Sequence, residues 1–301
     1  MKSYGKKIVD YIKHPEKIEY YLLKHKIGEI VPDKIYLSRM YKIRIGHKIN
    51  WKNPQGFNEK LQWLKLNEHF DERTRLVDKY DVRCYIKDII GEKYLIPLLG
   101  VWNSFDEIDF SALPNKFVLK CTHDSGGVVI CDDKDTFDFI AAKKKLSKNM
   151  KKNFYKVGRE YPYKNVKPRI IAEEYMVDES KTELKDYKLM CFNGKVKCSF
   201  VCSNRNLKDG LCVNFYDDKW KPMPFERHYP RNPVEIKKPE NYTEMVELAE
   251  KLSENIKFVR IDFYEINGKV YFGEITFYPG SGFEEFEPEK YDYLLGSWIK
   301  L

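Results

Sequence analysis

No stretch of this 301-residue chain is apolar for long enough to cross a bilayer. The longest candidate, residues 94–102, is interrupted by Pro97 and Gly100 and falls far short of the roughly 20 apolar residues that a helical span needs. The seven cysteines (Cys84, Cys121, Cys131, Cys191, Cys198, Cys202 and Cys212) include no Cys-x-x-Cys pair and no neighbouring His at zinc-finger spacing. A structural metal or a disulfide framework is therefore not expected, and an odd, scattered set suits a reducing cytoplasm. The chain also lacks a Gly-Lys-Ser/Thr phosphate loop, an internal repeat and a low-complexity tract. Residues 1–12 carry Lys2, Lys6, Lys7 and Asp10 without a continuous apolar region, so no secretory signal is expected and a cytoplasmic location is.

What is present is aromatic surface and unevenly placed charge. Five Trp, 22 Tyr and 18 Phe are mostly core material. With 43% hydrophobic and 33% charged residues, the composition excludes global disorder and fibrous classes. The length suggests two domains, or one large core with an appendage. Of the net charge of +8, residues 1–50 hold +7, leaving +1 for the other 251. That basic region reads either as a helical appendage with a solvated face, or as a contact for an anionic membrane surface or anionic polymer.

Apolar spacing predicts helices over residues 4–46, broken at Pro15 and at Val31-Pro32-Asp33, where Asp33 is offered as an N-cap. A helical stretch follows from Phe57 through Leu66, and Asp71 is expected to cap one helix running through Leu76, Val77, Tyr80, Val82 and Tyr85. Short strands are predicted over 117–121 and 128–131 around an Asp124-Ser125-Gly126-Gly127 turn, with a helix over 135–149 and a strand over 169–176. Asn193-Gly194 and Asn267-Gly268 mark two hairpins, 187–192 with 195–202 and 258–264 with 269–276. A strand over 211–215 and a helix over 242–254 complete the pattern, which indicates an α+β fold rather than a doubly wound parallel sheet.

The stretch richest in chemistry runs from Arg260-Ile261-Asp262 to Glu274-Ile275-Thr276. Strand side chains alternate faces, so whether Asp262 and Glu274 share a metal depends on register. A two-residue Asn267-Gly268 turn pairs 262 with 273 and separates the carboxylates. A three-residue loop pairs 262 with 272 and 260 with 274, so that Arg260, Asp262, Glu274 and Thr276 share a face suited to Mg²⁺ and phosphate. The plain alternative is a solvated hairpin with an Arg260–Glu274 pair. The Pro279-Gly280-Ser281-Gly282 loop that follows could present backbone N–H groups to an anion.

Lys120, inside an apolar strand and followed by Thr122-His123-Asp124-Ser125-Gly126-Gly127, suits nucleotide phosphates, although an edge-strand lysine before a turn reads the same way. Glu173-Glu174-Tyr175-Met176, Asp186-Tyr187-Lys188 and residues 77–83, with Asp78-Lys79 and Arg83, each also read as caps or solvated helix faces. Asp132-Asp133 and Asp217-Asp218 are the acids that a nucleotide-sugar glycosyltransferase would offer a metal. A non-catalytic basic polymer-binding module is the other alternative, but no nucleic-acid motif accompanies the basic region.

In order and spacing these features resemble the ATP-grasp superfamily, and more narrowly the TupA-like (teichuronopeptide-biosynthesis) ATP-grasp family. Asn53-Pro54 with residues 57–65, residues 94–102, Leu119 to Gly126 and Thr276 to Phe283 carry the narrower resemblance. It implies two α+β subdomains closing on ATP, here 76–172 and 173–301, preceded by a helical region over 1–75. It implies ATP and Mg²⁺ as cofactors. Lys79 and Lys120, with Ser125, Gly126 and Gly127, would meet the phosphates; Glu173, Glu174, Tyr175 and Met176 the adenine; Asp186 the ribose. Asp262 and Glu274 would hold Mg²⁺, with Thr276 standing where the superfamily usually has Asn. Arg260 and Lys188 would lie beside the transferred phosphoryl group, Lys188 where many relatives carry Arg. His123 or Asp124 is offered as the base. The implied reaction joins a carboxylate, of a uronic acid or surface polysaccharide, to an amine through an acyl-phosphate.

Overall fold

Residues 15–177, 184–204 and 210–301 are described by a computed structural model. The helix expected over residues 4–14 lies outside them. The α+β expectation holds, with sheets built from antiparallel neighbours. The first sheet contains β1 (Leu98–Trp102), β2 (Phe117–Cys121), β3 (Val128–Cys131) and β4 (Ile170–Glu174) in the order β1-β4-β2-β3. The second contains β5 (Asp186–Phe192), β6 (Lys195–Ser203), β7 (Cys212–Asp217), β9 (Phe258–Ile266) and β10 (Lys269–Thr276) in the order β10-β9-β5-β6-β7. A two-stranded piece pairs β8 (Glu226–Arg227) with β11 (Phe286–Glu287).

Strand alternation gives each sheet one apolar face and one face for chemistry. In β2, Phe117, Leu119 and Cys121 are buried with Ala142 and Leu146 of the helix Phe139–Met150, so Lys120 points the other way. In β4, Ile170 and Ala172 join that core, which puts Glu173 on the same side as Lys120. In the second sheet, Leu189, Cys191, Val259 and Ile261 pack with Met245, Leu248, Ala249 and Leu252 of the helix Tyr242–Leu252. Asp186, Lys188, Arg260 and Asp262 take the opposite parity. Both hairpin turns have φ > 0 at two residues, Asn193-Gly194 and Asn267-Gly268, as a two-residue type I′ turn requires.

Several expected boundaries move for local reasons. The single helix expected from Asp71 divides into Glu72–Val77 and Val82–Ile89. Asp78 Oδ1 accepts from the backbone N–H groups of Tyr80 and Asp81 at 2.7 and 3.0 Å and turns the chain between them. Asp71 makes no side-chain cap and instead accepts from the Tyr161 hydroxyl. Nor does Asp33 cap: Pro32 takes that place, and the Asp33 carboxylate accepts from Tyr155 and pairs with Arg159. The helix expected over 135–149 starts at Phe139, because Asp133 closes a turn on the Asp135 N–H and Asp138 caps Ala141. The strand expected over 169–176 stops at Glu174. β1 escaped the sequence reading because Pro97 and a register shift between Leu98 and Gly100 break its alternation.

The N-terminal helices Pro15–Lys24, Lys26–Ile30 and Asp33–Ile45 enclose a small core of Leu23, Tyr36, Leu37, Met40, Tyr41 and Ile49, which Phe283 completes from the far end of the chain. The helix Phe57–Asn67 is held at its start by Asp292, whose Oδ1 accepts from the Asn58 N–H at 3.0 Å. Burial raises the Asp292 carboxyl to about 6. Between pH about 4 and about 6 the folded protein therefore keeps a proton that the unfolded chain has released, so stability falls as pH rises through that window. Urea denaturation should show wild type losing up to about 3 kcal/mol across it, with Asp292→Asn, which keeps the acceptor, losing correspondingly less. An identical decline in both proteins would exclude Asp292 as the titrating group.

Candidate active site

The chemical faces of the two sheets line a common cleft of about 350 Å³, within the size range of small-ligand sites. From the first sheet and its neighbours come Lys79, Arg83, Lys120, Asp124, Ser125, Gly126 and Glu173; from the second come Asp186, Lys188, Arg260, Asp262 and Glu274. Val82, Leu95, Ile96, Val128, Tyr264 and Phe272 supply apolar surface. Five basic and five acidic side chains line it.

On the first sheet Lys120 Nζ lies 2.6 Å from Glu173 Oε2, and Arg83 lies 3.3 Å from the other oxygen of that carboxylate. Glu173, expected at an adenine, is thus the shared counter-ion of two cations. The turn at Asp78 places Lys79, whose N–H donates to Thr122 O at 3.0 Å and whose Nζ donates to Asp124 O at 2.5 Å. Arg169 holds Asp78 and Asp81 in place at 2.9 and 2.7 Å. Asp124 Oδ1 accepts from the Gly127 N–H at 3.2 Å and closes the loop, in which Gly126 has a φ of 116°.

On the second sheet the decisive feature is a bulge. The hairpin starts from the two-residue turn, pairing Ile266 with Lys269 and Phe263 with Phe272, which would put Asp262 opposite residue 273. The register then shifts at Gly273, so Asp262 pairs with Glu274 and Arg260 with Thr276. Neither register expected from the sequence is the observed one: an extra residue in one strand returns both carboxylates to one face. A Cβ at 273 would lie 3.1 Å from Asp262 O and 3.2 Å from the Tyr264 ring, a tight fit that glycine avoids.

Arg260 makes this juxtaposition tolerable. Its guanidinium meets Asp262 through Nε at 2.7 Å and through a terminal nitrogen at 2.8 Å, and that nitrogen also reaches Glu274 Oε1 at 2.5 Å. Lys188 bridges Asp262 to Asp186 from the next strand. Burial raises Asp262 to about 6 against the pull of Arg260 and Lys188. Glu274 overcomes the same burial effect and is drawn down to about 2 by Arg260, then by Lys188 and Lys79. Both are therefore carboxylates at neutral pH, and the two cations stay charged.

A Mg²⁺ ion requires hard oxygen donors and readily shares its shell with phosphate. The Glu274 side chain is 40% exposed and lines the cleft, with Oε1 engaged by Arg260 and Thr276. Asp262 is 1% exposed, and both its oxygens are taken by Arg260 and Lys188. Among the described residues no three His, Cys, Asp or Glu side chains form a metal cage. The donors fit a cation that arrives with phosphate ligands and settles on Glu274, with Asp262 beside it. The Thr276 hydroxyl is spent on Glu274 at 3.2 Å.

Other expected residues are not brought into the cleft. His123 is buried with Nε2 3.2 Å from Asn149 O, and Gly127, Glu174, Tyr175, Met176 and Thr276 do not line it. Asp133 and Asp217 brace turns by accepting backbone N–H groups. The seven cysteines are free, and among the described residues no helix is long and apolar enough to cross a membrane. The sequence reading named Arg83 within the 77–83 stretch, with a solvated helix face as the alternative, but gave it no role, and it missed the apolar lining of the cleft. Only the 77–83 stretch carried a hint.

A protein-family model described as TupA-like ATPgrasp matches residues 59–300. No curated protein matches the chain. Among solved structures, D-alanine-D-alanine ligase from Helicobacter pylori is 16% identical, with a TM-score of 0.43 over 82% of this chain and 70% of that one. The corresponding ligase from Bacillus anthracis, complexed with ATP, is 15% identical with a TM-score of 0.40 over 67% and 55%. A RimK domain ATP-grasp protein from Sphaerobacter thermophilus is 10% identical with a TM-score of 0.40 over 75% and 69%. The chain thus spans between 55% and 70% of the length of these three.

Removing Arg260 leaves Asp262 and Glu274 facing each other with Lys188 as the remaining direct cation. Breaking a buried pair in this way costs about 3–5 kcal/mol. Arg260→Met should lose that much in chemical denaturation, and Asp262→Asn added to it should recover part. A loss below about 1 kcal/mol would show that the guanidinium does not neutralise the wall.

Proposed function

The chain belongs to the TupA-like ATP-grasp family, and on that premise we propose that it joins a carboxylate to an amine at the expense of ATP, with a uronic-acid-containing surface polysaccharide or its precursor as the carboxylate partner. ATP-grasp ligases use ATP and Mg²⁺. The observation that carries the reading is the opposition of Lys79 and Lys120 on one wall to Asp262 and Glu274 on the other.

The apolar surface of Leu95, Ile96, Val128 and Phe272 accommodates a base. Lys79 and Lys120 then hold phosphate oxygens as point charges, and the Ser125-Gly126 backbone approaches them closely. Arg260, fixed by its fork on Asp262, offers its charge where negative charge grows during transfer. Glu274, with Asp262 beside it, would hold Mg²⁺, which would supply neutralisation of phosphate charge. A substrate carboxylate oxygen attacks the γ-phosphorus and ADP leaves; the amine nitrogen attacks the acyl carbon, loses its proton and expels phosphate. No protein nucleophile is needed, and positioning supplies much of the rate.

We assign peripheral contact with an anionic membrane or glycan to the basic N-terminal region, in a cytoplasmic protein. Residues 15–48 also form core with Phe283, so removing residues 1–14 alone is the clean test. That truncation should weaken co-sedimentation with phosphatidylglycerol vesicles by about tenfold; unchanged sedimentation leaves a packing role only.

Phosphate release should require ATP, a uronic acid and an amine together. Glu274→Ala should lower turnover about 100-fold or more, and Lys120→Ala should weaken binding of a non-hydrolysable ATP analogue about tenfold. Full turnover in Glu274→Ala would overturn the metal assignment. A UDP-sugar that raises the melting temperature more than ATP does would favour a glycosyltransferase instead.

A further inference from the structure

Two charged side chains are buried outside the cleft and take no part in the reaction above. Lys65 is 1% exposed and Glu160 is 3% exposed. Ser281 stands between them: Lys65 Nζ donates to its main-chain oxygen at 2.7 Å, and its hydroxyl donates to Glu160 Oε1. Gln62 adds bonds to the carbonyls of Ser281 and Gly282 at 2.9 and 2.8 Å, and accepts from Lys65 at 3.1 Å. Burial draws Lys65 down to about 7 and pushes Glu160 up, each opposed by the charge of the other. A buried charge pair is a poor source of stability, because desolvation offsets its attraction. Its use is better sought in what it holds.

What it holds is a run of three left-handed residues, Gly280, Ser281 and Gly282, with φ of 59°, 53° and 60°. A serine stays there only when its surroundings fix it. A Cβ on Gly282 would lie 2.5 Å from Gln62 Nε2, and one on Gly158 would strike the Ser281 hydroxyl. From the other side Arg227 donates to Pro279 O at 2.8 Å. The loop leaves β10 just beyond Glu274 and Thr276. A neighbour of each anchor reaches the N-terminal helices: Phe283, whose ring lies under Lys65, sits in their core, and Arg159, next to Glu160, donates to Gly28 O at 2.5 Å and stacks on Tyr36.

We propose that Lys65 and Glu160 are positioning residues that act through Ser281 to fix the Pro279–Gly282 loop at the end of the metal-bearing strand, making the N-terminal helices part of the catalytic unit. The proposal rests on the ligase reading for its effect on turnover. In the full chain, Ser281→Ala, Glu160→Ala and Lys65→Met should each raise hydrogen exchange in residues 279–283 by about tenfold. They should lower kcat by about 100-fold while the affinity for AMP-PNP with Mg²⁺ stays within about threefold. Glu160→Gln, whose amide oxygen still accepts the serine hydroxyl, should recover most of both losses. Unchanged exchange in Ser281→Ala, or Glu160→Gln as impaired as Glu160→Ala, would overturn it. Exchange and AMP-PNP binding need no acceptor substrate, so a wild-type protein that binds AMP-PNP but shows no turnover counts against the ligase reading, while the exchange results still decide the positioning claim.

Discussion

Two carboxylates directly opposite each other across a hairpin repel, and the rest of the site depends on how that repulsion is met. Arg260 meets it with a planar fork, which a lysine could not reproduce because it is a point charge on a flexible stem. The fork occupies Asp262 fully and Glu274 partly. The wall is therefore neutralised by groups of the protein itself. Lys188 carries the neutralisation one strand further to Asp186, so the charges of three neighbouring strands form one network.

The opposite wall uses the same economy with the signs reversed. Glu173 satisfies Lys120 and Arg83 together, while Lys79 leans on a backbone oxygen. Five cations and five anions leave the cleft formally balanced. Such a site does not attract a polyanion from a distance, and the basic surplus of the N-terminal region has no share in it.

How much of this was legible in the sequence follows from which interactions are local. Lys120 could be placed because one strand of alternating residues determines its face, and Asp186 and Lys188 for the same reason. The hairpin turns were legible from Asn-Gly pairs. Asp262 and Glu274 were identified as partners, but their register was not, because the bulge at Gly273 shifts the pairing by one residue part-way along the hairpin, which strand alternation does not signal. Asp78 breaks a helix that apolar spacing continues, through bonds to its own neighbours. Arg83 and Glu173 are ninety residues apart, and their pairing leaves no local trace. His123 looked available because it adjoins a glycine loop; packing against the helix Phe139–Met150 takes it away.

The bulge has a further consequence for how this protein can vary. A regular hairpin tolerates the loss of a residue pair, because both strands shorten in step. Here one strand is longer than its partner by one residue, and the bulge takes that residue, Gly273, out of the ladder so that Glu274 follows Phe272 in the pairing. Deleting Gly273 would remove that excess and leave Glu274 directly after Phe272 and still opposite Asp262, in a regular ladder. The hairpin can thus lose its extra residue without losing the carboxylate pair; what goes with it is the added bend and twist that a bulge gives the strand beside the cleft.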